Sequence, residues 1–441
     1  MRRICLTLPT NRACPETIAA IGGEAAYAAA HFDVEVHLLI LDSSEPDTFA
    51  AHAEAVRTLG AVPHVVTHHL GEPQQRDFLR QVIGRAEVAK PELMLELMLP
   101  AGLSYGACTN RAFLIAAALG CESVHRRDSD SRYQTVDGTP VFPVHHELMS
   151  LGKRAADAAR GPVETALDER HADKRVAMVG SSFVGELSVD IGEIRGLDPE
   201  VYYDVVSLWA PGHWSDEQKR ELVDDSFRGA GSEPFTGDRA TLTLVDPMRV
   251  DMCNISFHGV HERVPLPPAT DTIGSDYFLI HLVHDAALPG VLHNRNIVNF
   301  YTAERRTDAG FIAYQTRFVK FFLSMLYFNH VYERMTAAGE TLLDGQGHVR
   351  ASVISALARE SAALDRSENV HRLDRVDAAY RRLGGRYAQF ADILATRRER
   401  LLDEARSDIE DFALLTEAWA PLMRASREAG PLLPAVAGRP T

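Results

Sequence analysis

The run Arg126-Arg127-Asp128-Ser129-Asp130 concentrates more potential chemistry than any other short stretch of this chain. It follows a short strand-like segment, so its two carboxylates, at i and i+2, fall in a turn at a strand end. There they can converge on one hard divalent cation. Asp-x-Asp alone arises readily in an acidic protein, so its weight depends on what surrounds it. The cysteines offer no rival site. Cys5, Cys14, Cys108, Cys121 and Cys253 are odd in number and include no Cys-x-x-Cys pair, which reads as scattered reduced thiols, not a disulfide scaffold or zinc site.

Those carboxylates need elements to hold them. The first 130 residues alternate strand and helix: strands over 3–8, 34–41, 62–67 and 123–125, helices over 17–30, 47–59, 76–89 and 110–119. This order predicts an α/β fold with a mostly parallel sheet flanked by helices. Ligands of such sheets lie at the carboxyl ends of the strands. Here those ends are Pro9 to Arg12, Asp42 to Ser44, and Arg127 to Asp130. The middle is more irregular, with strands at 176–179 and 241–245, a loop at 263–268, a helix at 275–284 and a strand or turn at 297–302. From about residue 311 the pattern is helical alone: an apolar run at 318–332 and amphipathic stripes at 353–364 and 376–429. We expect three regions, 1–148, 149–310 and an all-helical extension at 311–441. The extension either covers the sheet or forms a homodimer. The last residues, from Gly430, carry Pro and Gly and are expected to fray.

The order of these pieces resembles the nucleotide-binding half of the GT-A type of nucleotide-sugar glycosyltransferases. The first strand ends Leu8-Pro9-Thr10-Asn11-Arg12, the second Leu41-Asp42-Ser43-Ser44. Then come Ser104-Tyr105-Gly106-Ala107-Cys108-Thr109-Asn110-Arg111, an Ala-rich helix, and Asp128-Ser129-Asp130. The match covers about 135 residues, with a looser one to about residue 310. It implies that Pro9, Thr10, Asn11, Arg12, Ser104, Asn110, Arg111, Ser129 and Arg295 contact a nucleoside-diphosphate sugar and that Asp42 reads its base or ribose. It implies that Asp128 and Asp130 hold Mn²⁺ or Mg²⁺, with His293 in Leu292-His293-Asn294-Arg295-Asn296 as a third ligand. Gly274-Ser275-Asp276-Tyr277 is similar to the superfamily's acidic helix start, with Ser275 where Glu is common. Asp276 is then the catalytic carboxylate. His145, His146, His281 and His284 compete with His293 as ligands or acceptor contacts. Each residue also has a plainer role: Asp42 as a cap, Asp276 as a helix N-cap, the arginines as ion-pair partners.

Charge and motif content narrow the alternatives. The 441 residues carry 61 acidic and 46 basic side chains, a net charge of −15. From Phe311 onward there are 18 basic and 17 acidic groups, so the first 310 residues hold 28 and 44, a net of −16. Such a chain is a poor partner for polymeric nucleic acid, and a diphosphate could bind its acidic part only through local arginines or a metal. The abundance of Arg equally suits a GC-rich bacterial genome. No apolar run approaches a membrane span, and the stretch after Met1-Arg2-Arg3 stops at Pro9, short for a signal peptide. P-loop and dinucleotide glycine motifs are missing. The expectation is a cytoplasmic, metal-dependent, hexosyltransferase-like enzyme acting on a small-molecule acceptor. The alternatives are a nucleotidyltransferase making a sugar nucleotide, disfavoured by the glycine-free first loop, and an inactive GT-A-like assembly module.

Overall fold

The computed structural model describes residues 1–186, 191–300 and 306–430. The strands in chain order are β1 (Arg2–Thr10), β2 (Val34–Asp42), β3 (Val65–Gly71), β4 (Ser123–Arg127), β5 (Ser131–Tyr133), β6 (Thr135–Val136), β7 (Thr139–Pro140), β8 (Glu164–Thr165), β9 (Met178–Gly180), β10 (Phe183–Gly185), β11 (Ala240–Thr243), β12 (Asn254–His258), β13 (Gly290–His293) and β14 (Ile297–Asn299). Nine form one sheet in the order β3-β2-β1-β4-β12-β9-β13-β11-β8. The first four pair in parallel, and β12 runs antiparallel to both neighbours. Beyond it β9 and β13 are parallel, β11 is antiparallel to β13, and β8 is parallel to β11. The strands β10, β14 and β5 make a small second sheet, and β6 and β7 a hairpin.

This is the expected α/β architecture: a large, mostly parallel sheet flanked by helices, with a helical C-terminal region. Strands from residues before and after 149 share the one large sheet. Five helices belong to the first part: α1 (Pro15–His31), α2 (Pro46–Thr58), α3 (Glu72–Ala86), α4 (Pro91–Met98) and α5 (Tyr105–Ala118). Side chains alternate across a strand, and the core divides accordingly. Ile4, Leu6 and Leu8 of β1 pack with Ile18 and Ile21 of α1, while Cys5 joins the larger core with α3 and α5. The C-terminal helices enter that same larger core. Helix Gly385–Ala429 lies on α3 and α5, where the Trp419 indole donates to His261 O at 2.9 Å and Ser426 Oγ to Leu114 O at 2.5 Å. The extension therefore packs over the helices that flank the sheet.

Some boundaries differ from the sequence reading for local reasons. The stripe read over 376–429 is two helices, Ser367–Leu383 and Gly385–Ala429, because Gly384 takes φ +71° and ends the first. The helix read at 275–284 is a 3₁₀ turn, Ser275–Tyr277, leading into helix Phe278–Asp285. The segment at 297–302 is a strand over Ile297–Asn299; residues 301 and 302 lie outside the described residues, as do 431–441 at the end.

Candidate functional site

The carboxyl ends of β1 and β4, the start of α5, the Ser275–Tyr277 turn and helix Asp308–Ala338 enclose a cavity of about 420 Å³. Its floor is set by β4. Successive residues of this strand face opposite sides, and both carry guanidinium groups. Arg126 turns to the cavity, where it pairs with Asp128 and Asp276 at 3.1 Å each and donates to Met252 O at 2.7 Å. Arg127 turns away into a buried cluster, pairing with Glu24 at 2.8 Å and Glu147 at 3.0 Å.

The turn after β4 is held from both sides. Thr17 Oγ1 donates to Ser129 O at 3.2 Å and Ser131 Oγ to Asp128 O at 2.7 Å. Asp128, Ser129 and Asp130 all line the cavity. Asp130 pairs with Arg12 at 3.0 Å. Burial raises the Asp128 carboxyl pKa to about 6; Arg126 pulls the other way, and Asp130, Asp251 and Asp276 add to the rise. Burial also raises Asp276. Asp251, which sequence reasoning did not select, belongs to the same cavity and accepts from the Tyr277 hydroxyl and from Cys253 N. Asp128, Asp130, Asp251 and Asp276 thus gather with Arg12 and Arg126, in a lining that also holds Glu72, Asp225, Arg111 and Arg228, and like charges brought together resist joint ionisation.

The expected donor contacts divide into two groups. Pro9, Thr10, Asn11 and Arg12 line the cavity, in a turn closed by Thr10 Oγ1 donating to Arg12 O at 2.9 Å. Ser104 and Arg111 line it too, though both are committed to the fold. Ser104 caps α5, accepting from Ala107 N at 3.1 Å and donating to Pro268 O at 3.0 Å. Arg111 donates to Gln75 Oε1 at 2.7 Å and Met98 O at 2.6 Å. Between them, Gly106 permits a close approach: a Cβ there would lie 1.9 Å from Pro267 O.

Four residues lie outside the cavity lining. Asn110 pins the 263–268 loop, bonding Leu266 N and O at 2.8 Å each. Arg295 forms a bidentate pair with Asp238. His293 stacks on His146, 5.3 Å between ring centroids, and its buried Nε2 has no hydrogen-bond partner among the described residues. Asp42 is buried beneath the Pro9–Arg12 turn, and Ser43 takes its place in the lining.

Asp42 belongs instead to a closed knot. His52 Nδ1 and His69 Nε2 each donate to its Oδ2 at 2.8 Å, and Ser44 N to its Oδ1 at 2.9 Å. Burial opposes ionisation, yet these bonds hold the carboxyl well below its usual range. Among the described residues, Asp42, His52 and His69 are the set whose possible metal-ligand atoms lie within 4.8 Å of one another. The second ring nitrogen decides its role. His52 Nε2 accepts the Cys14 N–H at 2.9 Å, so the ring proton sits on Nδ1 and is given to Asp42. A ring fixed this way has no lone pair left for a cation. The knot ties β2, α2 and β3 to the start of α1 just past the Pro9–Arg12 turn.

Fold and site together define an α/β protein with a carboxylate-walled cavity at the carboxyl ends of parallel strands. Over residues 2–433 the chain matches DUF6271, a family of unknown function, and it belongs to that family. No curated protein matches it. Among solved structures, it is similar to one described as a mycobacterial protein, with 16% identity, 74% of each chain covered and a TM-score of 0.35. It is also similar to the mannosyltransferase PcManGT from Pyrobaculum calidifontis in complex with GDP-Man and Mn²⁺, with 14% identity, 95% of this chain and 86% of that one covered, and a TM-score of 0.31. Among the described residues, no helix is long and apolar enough to cross a membrane.

Proposed function

We propose that this chain is a metal-dependent glycosyltransferase moving a sugar from a nucleoside-diphosphate donor to a small-molecule acceptor. The observation that carries the reading is the convergence of Asp128 and Asp130 with the Pro9–Arg12 turn in one strand-end cavity whose carboxylates outnumber its guanidinium groups. That surplus suits a divalent cation. Mg²⁺ and similar ions commonly use one or two carboxylates and complete their shell with substrate phosphates. Asp128 and Asp130 would hold Mn²⁺ or Mg²⁺; burial, with a smaller contribution from the neighbouring carboxylates, raises the Asp128 pKa despite Arg126, and a cation there would favour its ionised form. The bound ion supplies neutralisation of the departing diphosphate.

The protein's own groups do the remainder. Arg12 fixes Asp130 and adds positive charge beside the phosphates. Ser43, at the end of β2, faces the base and ribose. Asp276, held by Arg126, takes the proton of the acceptor hydroxyl as that oxygen bonds the anomeric carbon. The anomeric carbon–oxygen bond breaks, and its electron pair leaves on the diphosphate oxygen. Burial favours the protonated form of Asp276, which makes it a stronger base once ionised. A thermal-shift panel of sugar nucleotides, each with and without Mn²⁺, tests the reading. A rise in melting temperature for at least one donor, present only with Mn²⁺, is expected. Identical melting across the panel would remove it.

A further inference from the structure

We propose that the cavity wall built by the C-terminal helices is an acceptor site for a neutral, ring-bearing hydroxyl compound, aromatic or polycyclic. This rests on the glycosyltransferase reading for the role of the opposite wall.

The wall is one face of helix Asp308–Ala338. Phe321, Met325, Phe328 and Tyr332 recur every three or four residues and all line the cavity. Such a stripe ordinarily fills a core, but here it leaves an open volume beside it. Two further rings complete the surface. Trp209 meets Phe321 edge-on, 5.3 Å between centroids, and His281 stacks on Tyr332 at 4.0 Å and 15°. Rings in such arrangements favour another flat apolar body between them.

The wall is joined directly to the carboxylates. Gly274 takes φ +75°, and a Cβ there would lie 2.8 Å from the Phe321 ring. The glycine therefore lets Phe321 press against the backbone two residues before Asp276. A molecule lying on Phe321 reaches Asp276 with a hydroxyl at its edge.

The wall also excludes charge. Burial keeps the His281 ring neutral, its pKa lowered to about 3. Neither His281 nor the Tyr332 hydroxyl has a hydrogen-bond partner among the described residues, so both offer neutral polar contacts to an occupant. The charged groups on this side, Arg228 and Asp225, are exposed and paired with each other at 3.2 Å. Among the described residues this surface offers a phosphorylated or carboxylated acceptor no cation outside an ion pair, whereas a hydroxylated ring system finds stacking faces and hydrogen-bonding groups.

The test uses 2-naphthol, a neutral bicyclic phenol, with the full chain. Binding is followed by calorimetry and by quenching of tryptophan emission. Wild-type protein saturated with Mn²⁺ and GDP or UDP is expected to bind one naphthol per chain without displacing the nucleotide. Met325→Trp and Ser324→Leu, which fill the volume, should weaken naphthol at least tenfold and change nucleotide affinity less than twofold. Competition between naphthol and nucleotide on the wild-type protein would overturn the proposal, as would naphthol affinity undiminished in both folded variants. Nucleotide binding without any naphthol binding sinks this inference alone. Naphthol binding as described, with no Mn²⁺-dependent nucleotide binding, preserves the aromatic site and removes the glycosyltransferase reading.

Discussion

Arg126 and Arg127 are neighbours on one strand, yet they serve opposite ends. Arg127 is fully enclosed between two buried carboxylates. Glu24 accepts from Arg127, from the Tyr133 hydroxyl and from Val144 N, and Glu147 accepts from Arg127 and from His125 Nδ1. Arg126 faces a cavity where Asp128, Asp130, Asp251 and Asp276 gather with Arg12 and Arg126, while Glu72, Asp225, Arg111 and Arg228 stand elsewhere in the lining. In both clusters carboxylates outnumber guanidinium groups, and the two differ in enclosure: the first is packed shut, while the second borders an open volume. The closed network rigidifies the sheet, although Glu147 Oε1 finds no hydrogen-bond partner among the described residues; the open one leaves room beside its carboxylates. The alternation of a β-strand separates the two within a single dipeptide.

The largest expected break of this contrast is Arg127→Met. It leaves Glu24 and Glu147 buried without their cation and should cost roughly 3–5 kcal/mol in urea unfolding. A loss below about 1 kcal/mol would show that the network is not what holds the strand.

On the cavity side the sign should reverse. Asp128→Asn removes one of four crowded carboxylates. It should raise stability at neutral pH by roughly 0.5–2 kcal/mol, as relief at a strained site does, while Mn²⁺-dependent nucleotide binding falls. Destabilisation by this substitution would place Asp128 in the structural class with Glu147.

The pH profile sharpens the same contrast. Burial opposes Glu147 ionisation, but Arg127 and His125 outweigh it and lower its pKa to about 2. Its contribution is complete above the ordinary carboxyl value near 4 and is lost as pH falls toward 2. Asp128 is raised to about 6, so it binds its proton more tightly folded than unfolded. Stability should therefore fall as pH rises from about 4 to 6, and Asp128→Asn should flatten that interval without touching the acid limb. Melting curves from pH 2 to 8 check both signs.

Much of this was legible from residue order. The alternation of β-branched runs with Ala-rich stretches placed β1 to β4 and their helices, and the turn after β4 put Asp128 and Asp130 at a strand end. The side of a strand on which a residue falls was harder to read. His293 and Arg295 stood at a plausible spacing from Asp276, but His293 closes β13 and turns to His146, while Arg295 turns to Asp238. Asp251 escaped because no strand was expected after it, although Asn254-Ile255-Ser256-Phe257-His258 alternates polar and apolar residues as a strand does. The aromatic wall escaped because an apolar stripe at helical spacing looks the same whether it fills a core or lines a cavity. Ser104, expected as a donor contact, lines the cavity and is also the N-cap of α5. Ser104→Ala is accordingly the smallest expected effect: about 1 kcal/mol of stability, with nucleotide affinity changed less than threefold. A larger loss of affinity would return its hydroxyl to the donor.

Within the cavity, Asp276→Asn should keep donor binding and lose turnover; full turnover would leave Asp276 a partner of Arg126 alone. The central claim is that the crowded carboxylates exist to hold a cation for a diphosphate. Calorimetric titration of GDP and UDP into wild-type and Asp130→Ala protein, with Mn²⁺ and with chelator, tests it most directly. The account predicts binding by the wild type only with Mn²⁺, and none by a folded Asp130→Ala. Nucleotide affinity that ignores both the metal and the substitution would contradict it.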